Sequence, residues 1–317
     1  MNADENCMKH DSVSFQRNAF FTEHGNRILT ISLLPSIILS MIKRVYIEIT
    51  NICDLSCPFC RKNTREPSFM NLPFFTDILQ QAILLTDHIY LHVQGEPMLH
   101  PEFDEILTVC DKTSARVHLV TNGSFLDRCP DLLQHPCLST IAVSMQSVCA
   151  RKSDTLNDYY QRIMKTAQAA SDQQSPDIDL RFWRSDTTED PNTAWCLGQL
   201  RRHYTFHDTK RRNSKCILPH VYVSFANDFS WPEISPADAD KGTCLGGREQ
   251  IAVLCDGTVV PCCLDAEGTI SLGNLREKPL SEIMKTARYL NLIRGFEQHR
   301  LTEDLCRSCT FRKRFDQ

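Results

Sequence analysis

The chain has 317 residues, with 42% hydrophobic and 23% charged side chains, a formal net charge of -4 and sixteen cysteines. That length holds one large core plus a smaller module, and the slightly acidic balance excludes a general nucleic-acid binder. Sixteen unevenly spaced cysteines in so long a chain do not make a small disulfide-stapled scaffold; metal-bound thiolates in a reducing, cytoplasmic setting explain the count better.

In chain order, a polar leader precedes the uncharged run from Ile28 to Met41, which Pro35 interrupts. A spanning helix needs about 20 apolar residues, so no membrane insertion is expected. Residues 1–41 read as a poorly ordered leader or as an extension upstream of a start at Met41. Val45 to Thr50 alternates β-branched and polar residues and predicts a strand. A cysteine-bearing loop follows, then a helical stretch from about Leu72 to Leu85. His88 to Val93 is a second strand, followed by a helix from about Glu102 to Asp111. Arg116 to Val120 is a third strand and Thr140 to Ser144 a fourth, with a helix from about Asn157 to Ser171. Ile178 to Trp183 is a fifth strand, followed by a helix from about Ala194 to His203, and His220 to Ser224 is a sixth. Strands alternating with amphipathic helices predict a parallel sheet with right-handed crossovers. The expected fold is α/β, an open (β/α)6 partial TIM-like barrel spanning 42–225. A small C-terminal module at 226–317 follows, built from a β-hairpin turning at Asp256-Gly257 and a helical stretch from Leu280 to Phe296.

Chemistry in β/α barrels collects at the carboxyl ends of the strands, and the noteworthy polar residues fall there. The first strand ends in Cys53-Asp-Leu-Ser-Cys57-Pro-Phe-Cys60, a C-x3-C-x2-C pattern with an aromatic residue before the last cysteine. Three thiolates on one short loop can hold three irons of a four-iron, four-sulfur cluster and leave the fourth open to a substrate. Zinc sites usually complete four ligands with paired C-x2-C knuckles, and buried structural cysteines would not favour a tight loop at a strand end.

This arrangement resembles the radical S-adenosylmethionine (radical SAM) enzymes. The resemblance covers roughly residues 44 to 317 and implies that Cys53, Cys57 and Cys60 hold the cluster whose open iron chelates the amino and carboxylate groups of the cofactor. Gln94-Gly-Glu-Pro97 sits where the family carries a Gly-Gly-Glu type motif, with Gln94 in place of the first glycine. That implies cofactor contacts from Gly95, Glu96 and Pro97, with Glu96 supplying negative charge near the ammonium. Taken alone, the motif is an ordinary strand-ending turn. The resemblance further implies supporting cofactor roles for Asn122, in Thr121-Asn-Gly123, for Ser144 and Gln146 after the fourth strand, and for Arg181 in the fifth, with Arg184 its competitor. By position alone, His100, Trp183, Asp186 and Trp231 are candidates for the substrate pocket.

A second cysteine set reads C-x12-G-x4-C, a long gap, then C-x2-C, through Cys244, Gly257, Cys262, Cys306 and Cys309. It resembles the twitch domain, a shortened form of the SPASM domain, and implies an auxiliary four-iron cluster closed by Cys244, Cys262, Cys306 and Cys309. A structural zinc site suits four cysteines ending in C-x2-C as well. Cys263 competes with Cys262 as ligand, and Cys255 is expected to pack in the core. The activity implied is reductive cleavage of S-adenosylmethionine and hydrogen abstraction from a small molecule or peptide, with electrons from a flavodoxin- or ferredoxin-like donor. No nucleic-acid or membrane partner is expected. The competing readings are a non-catalytic iron–sulfur electron carrier or redox sensor, and a zinc-stabilised binding module.

Overall fold

A computed structural model describes residues 42–184, 190–227, 230–235 and 240–316. The expectations for the leader at 1–41 and for Asp186 lie outside the described residues, as does the side chain of Arg184.

One eleven-stranded sheet organises the chain, in the order β11-β10-β9-β1-β2-β3-β4-β5-β8-β7-β6. Its middle is the six-stranded parallel run foreseen above: β1 (Arg44–Ile47), β2 (His88–Tyr90), β3 (Arg116–Thr121), β4 (Leu138–Ser144), β5 (Asp177–Arg184) and β8 (Val221–Asn227). The barrel is open, because β1 does not meet β8. Its free edge pairs in parallel with β9 (Gln250–Val253), from Arg44 opposite Gln250 to Ile47 opposite Val253. From β9 the chain turns into β10 (Thr258–Val260) and β11 (Gly273–Asn274), both antiparallel. Core and C-terminal module therefore share one continuous sheet.

The strand period divides the sheet into two chemically different faces. Val45, Ile47, Ile89, Val117, Leu119, Ile141, Leu180, Val221 and Val223 lie on one face with 0–1% exposure, each stabilising the fold by about 1.5–3 kcal/mol. The helices cover this face: α1 (Leu72–Ala82), α2 (Phe103–Asp111), α3 (Leu156–Gln173) and α4 (Pro191–His203). α1 begins where the Asn71 side chain accepts a hydrogen bond from Phe74 N, with Pro73 in its first turn, and buries Phe75, Ile78, Leu79 and Ala82. That is the i, i+3, i+4, i+7 stripe of an amphipathic helix. α4 begins likewise, with the Asp190 carboxylate accepting from Thr193 N and Pro191 following it. The alternate positions, among them Tyr46, Tyr90, His92, Arg181 and Trp183, face the barrel interior and line a chamber.

Some expected boundaries move. β1 stops at Ile47, because Thr50 turns toward the cysteine loop: its hydroxyl donates to Ser68 O at 3.0 Å, and Thr50 bridges Phe69. The helix expected from Leu280 to Phe296 is two, α5 (Leu280–Ile283) and α6 (Ala287–Glu297), because Thr286 is extended and caps α6 by accepting from Tyr289 N. A short α7 (Asp304–Ser308) carries Cys306. The edge strands β6 (His207–Asp208) and β7 (Ser214–Leu218) were not foreseen; they form an antiparallel hairpin beside β8. The hairpin turn at Asp256-Gly257 is where expected. Gly257 has φ +94°, and a Cβ there would lie 2.7 Å from the Phe74 ring, so only glycine fits. Among the described residues, no helix is long and apolar enough to cross a membrane.

Candidate active site

The loop that leaves β1 carries Cys53, Cys57 and Cys60 over the mouth of the barrel. Cys53 and Cys60 are exposed and Cys57 half-buried. Cys60 N donates to Cys57 O at 3.0 Å, and Leu55 N donates to the Cys53 sulfur at 3.5 Å, curling the loop so that the sulfurs converge. Burial pushes the Cys53 thiol up to about 11 and raises Cys60 as well. Cys57 is raised chiefly by a hydrogen bond to Cys149, a thiol brought beside it by the turn after β4. Thiols so held ionise when a cation takes the proton's place; three convergent sulfurs on one loop, facing open space, fit a cluster with one uncommitted iron.

The loop is locked to the end of β3. Asp54 accepts from Asn122 Nδ2 at 2.7 Å and from the Ser124 hydroxyl at 2.6 Å. Asn122 Nδ2 also lies 3.7 Å from the Cys53 sulfur. Arg151 stacks on Tyr159 and donates to Asn122 O at 3.1 Å and to Ser124 Oγ at 2.8 Å, while the Tyr159 hydroxyl donates to Asn122 O at 3.0 Å. Asn122 is thus fixed from three sides.

Beneath the loop lies the turn after β2. Gly95 has φ +73°, and a Cβ there would stand 2.5 Å from Thr50 O and 2.9 Å from Ile52 O. The absence of a side chain lets the two loops touch, and Glu96 N donates to Ile52 O at 2.8 Å. Glu96 itself is 1% exposed. Its carboxylate accepts from Thr121 Oγ1 at 2.7 Å, Asn122 N at 2.6 Å and Met98 N at 3.1 Å. Burial holds it up to about 7, against the pull of those donors. The structure thus employs this carboxylate as a tie between strand ends. Pro97 opens the buried turn Pro97–Leu99 and does not line the chamber.

The chamber has a volume of about 1000 Å³ and is lined by the three cysteines, Gly95, Glu96, Asn122, Ser144, Gln146 and Arg181. Trp183 and Trp231 line it as well, as position suggested. His100 does not: its Nε2 pairs with Met70 O at 2.8 Å and its Nδ1 accepts from Glu102 N. Arg181 pairs with Asp179 at 2.8 Å. Buried polar atoms on the wall, among them His92 Nδ1, Gln94 Oε1 and Gln146 Oε1, have no hydrogen-bond partner among the described residues, as befits a wall built for a polar ligand. His92 is held neutral, pushed down to about 3 by burial and by Arg181.

The second cysteine set lies in the C-terminal module, and none of Cys244, Cys262, Cys306 and Cys309 lines the chamber. Burial first, then the neighbouring Cys263, Cys244 and Cys306, raises the Cys262 thiol, and Cys309 acts in the same way on Cys244 and Cys306. Cys263 lines the chamber and is hydrogen-bonded to Tyr46, with Cys244 near enough to raise its thiol. Cys255 is 3% exposed, its sulfur donating to Glu48 O at 3.1 Å. Arg312 is 2% exposed and secures α7 by donating to Cys306 O at 2.9 Å.

Sequence reasoning passed over Glu48, Asp54, Arg65, Cys149 and Arg151, and it weighed Cys263 only as a rival ligand to Cys262. Glu48 is fully buried, and both its oxygens lie 2.7 Å from Arg65 Nη2. They also accept from Gln94 N and Cys255 N at 3.1 Å. This one carboxylate therefore joins β1, the return of the cysteine loop, the turn after β2 and the hairpin of the C-terminal module. A charge inside an otherwise apolar strand was the available signal.

A model of the radical SAM superfamily matches residues 47–180, and one of an iron-sulfur cluster-binding domain, SPASM, matches residues 244–310. The chain is 25% identical over 301 residues to the PqqA peptide cyclase of Gluconobacter oxydans, covering 84% of this chain and 82% of that protein. It is 28% identical over 267 residues to the GTP 3',8-cyclase of Chlorobaculum tepidum, covering 65% and 79%. Among solved structures, the fold is similar to that of BtrN in complex with AdoMet and 2-DOIA, with a TM-score of 0.56, 18% identity, and coverage of 86% of this chain and 94% of that one.

Proposed function

We propose, from the premise that the chain is a radical SAM enzyme carrying an iron–sulfur SPASM domain, that its substrate is a peptide whose modified residue enters the chamber. With cluster and S-adenosylmethionine bound, the cofactor supplies a 5'-deoxyadenosyl radical, which takes a hydrogen atom from the substrate. Cys53, Cys57 and Cys60 would hold the cofactor-cleaving cluster. Cys244, Cys262, Cys306 and Cys309 would close the auxiliary one, within a module running from about residue 226 onward. The exposed backbone of Gly95 and the side chains of Ser144, Gln146 and Arg181 would orient the cofactor. Asn122, Glu96 and Pro97 act one step removed, by fixing the loop ends, because their polar groups are already engaged or turned away. The neutral imidazole of His92 and the thiol of Cys263 offer polar contacts to the substrate without adding charge.

The observation that carries the peptide reading is the size of the chamber. Its volume of about 1000 Å³ lies at the upper limit for sites that enclose one small ligand, leaving room for a side chain beside the cofactor. The likeness to a PqqA peptide cyclase over four-fifths of both chains supports it. The likeness to a GTP 3',8-cyclase favours a small polar substrate instead. Anaerobic, cluster-loaded enzyme reduced with a flavodoxin, the proposed class of electron donor, should form more 5'-deoxyadenosine when given peptides encoded beside its gene. One of those peptides should lose two hydrogen atoms by mass spectrometry, an oxidation for which a cluster held by Cys244, Cys262, Cys306 and Cys309 would supply a one-electron acceptor. Stimulation by nucleoside triphosphates and by none of the peptides would overturn the reading.

A further inference from the structure

On the outer flank of the barrel, away from the chamber, three metal-ligating side chains of different kinds meet. Asp104 lies in the first turn of α2, while Cys129 and His135 belong to the connection between β3 and β4. Their ligand atoms all lie within 4.8 Å of one another. Cys129 Sγ is 3.4 Å and His135 Nε2 3.2 Å from the same oxygen, Asp104 Oδ1. Donors held about 2.0–2.3 Å from a tetrahedral zinc are separated by about 3.3–3.8 Å, which is close to the spacing seen.

His135 is also backed in the manner of a metal ligand. Its Nδ1 faces Asp111 Oδ2 at 2.7 Å, and Asp111 is itself fixed by Cys137 N, which donates to Oδ1 at 2.9 Å. A carboxylate behind the imidazole sets the ring and leaves Nε2 as the free lone pair. That lone pair then confronts an oxygen of Asp104, an arrangement that needs a positive centre between them. Either a proton sits on both ring nitrogens, or a cation takes its place. The nearby thiol favours the cation, because sulfur, imidazole and carboxylate together are a donor set for zinc.

The fold supplies a reason for such a clip. The β3–β4 connection contains no α-helix, only the single turn Leu132–Gln134. It therefore lies against α2 without the continuous apolar stripe that seats the other crossovers. We propose that Asp104, Cys129 and His135 bind one zinc-type divalent cation that pins this connection to α2, with the fourth position on the exposed side of Asp104. Binding displaces the thiol proton and any proton on His135 Nε2 to solvent.

The test is metal analysis of the intact, anaerobically purified, cluster-loaded protein after equilibration with zinc and dialysis. About one zinc per chain is expected, and its X-ray absorption edge should report one sulfur with nitrogen and oxygen neighbours. Cys129→Ser together with His135→Ala should lose at least about nine-tenths of that zinc and keep its iron. Retained iron shows that the variant is folded; should iron fall too, the absorption spectrum of the wild type and the zinc content of Asp104→Asn decide the matter. Wild-type protein without zinc, zinc bound by four sulfurs, or zinc that stays in the variants would each overturn the proposal.

Discussion

Replacing Glu48 with Gln tests how the two modules are held together. Glu48 accepts from Arg65 Nη2 at 2.7 Å, from Gln94 N at 3.1 Å and from Cys255 N at 3.1 Å, with no exposed surface of its own. Burial raises its pKa, and the Arg65 guanidinium and the two backbone donors oppose that rise. An amide keeps one acceptor oxygen and turns the other atom into a donor facing a backbone N–H. It also leaves Arg65, 15% exposed, without its counter-charge. Breaking a buried pair from one side costs about 3–5 kcal/mol, and an unsatisfied buried N–H costs about 1–3 kcal/mol more. These overlap, so a loss of about 4–6 kcal/mol is expected. At roughly 2 °C per kcal/mol for a chain of this size, the thermal midpoint should fall by about 8–12 °C. Circular dichroism of anaerobic, cluster-loaded protein reads the midpoint. Arg65→Met should behave similarly, and the double variant should fall by clearly less than the sum of the two. A shift under about 3 °C for Glu48→Gln, or strict additivity, would refute the reasoning.

Gly95→Ala places a Cβ 2.5 Å from Thr50 O at positive φ, so the cysteine loop must shift; S-adenosylmethionine affinity by equilibrium dialysis should fall at least about tenfold, and unchanged affinity would contradict the close-approach argument. Glu96 is held up to about 7, so its proton-linked stability is full below the ordinary carboxylate range and is lost as pH rises through about 7. Relative to the non-titrating Glu96→Gln, the wild type should therefore lose stability between about pH 5 and pH 8 in thermal melts, and a gap that moves the other way would contradict the assignment. Cys306→Ala with Cys309→Ala, checked by gel filtration for folding, should leave uncoupled cofactor cleavage largely intact while lowering turnover of the substrate. Full turnover in that variant would make the auxiliary cluster dispensable.

Much of the barrel was legible because its strands alternate strictly: Val45, Ile47 and Ile89 go to the helical face, and Tyr46 and Tyr90 to the chamber. The cysteine sets were legible because spacing within a loop or hairpin limits where thiols can point. What escaped the sequence depended on contacts between distant segments. Glu48 meets Cys255 across 207 residues and Asp54 meets Asn122 across 68, and no local pattern announces either. Glu96 was expected beside the cofactor's ammonium; it lines the chamber, and its carboxylate also accepts from Thr121, Asn122 and Met98. A motif names the residue, but only the packed neighbours decide what its oxygens touch. The outer hairpin of β6 and β7 was missed because β6 is only two polar residues long, with Asn213 at φ +57° in the turn before β7.

The most direct measurement is 5'-deoxyadenosine formation under dithionite by the wild type and by the triple variant Cys53→Ala, Cys57→Ala, Cys60→Ala, with iron counted in both. The wild type should hold about eight iron per chain and cleave S-adenosylmethionine, while the variant should keep about four iron and form no 5'-deoxyadenosine. Cleavage that persists in the folded triple variant would contradict the account at its centre.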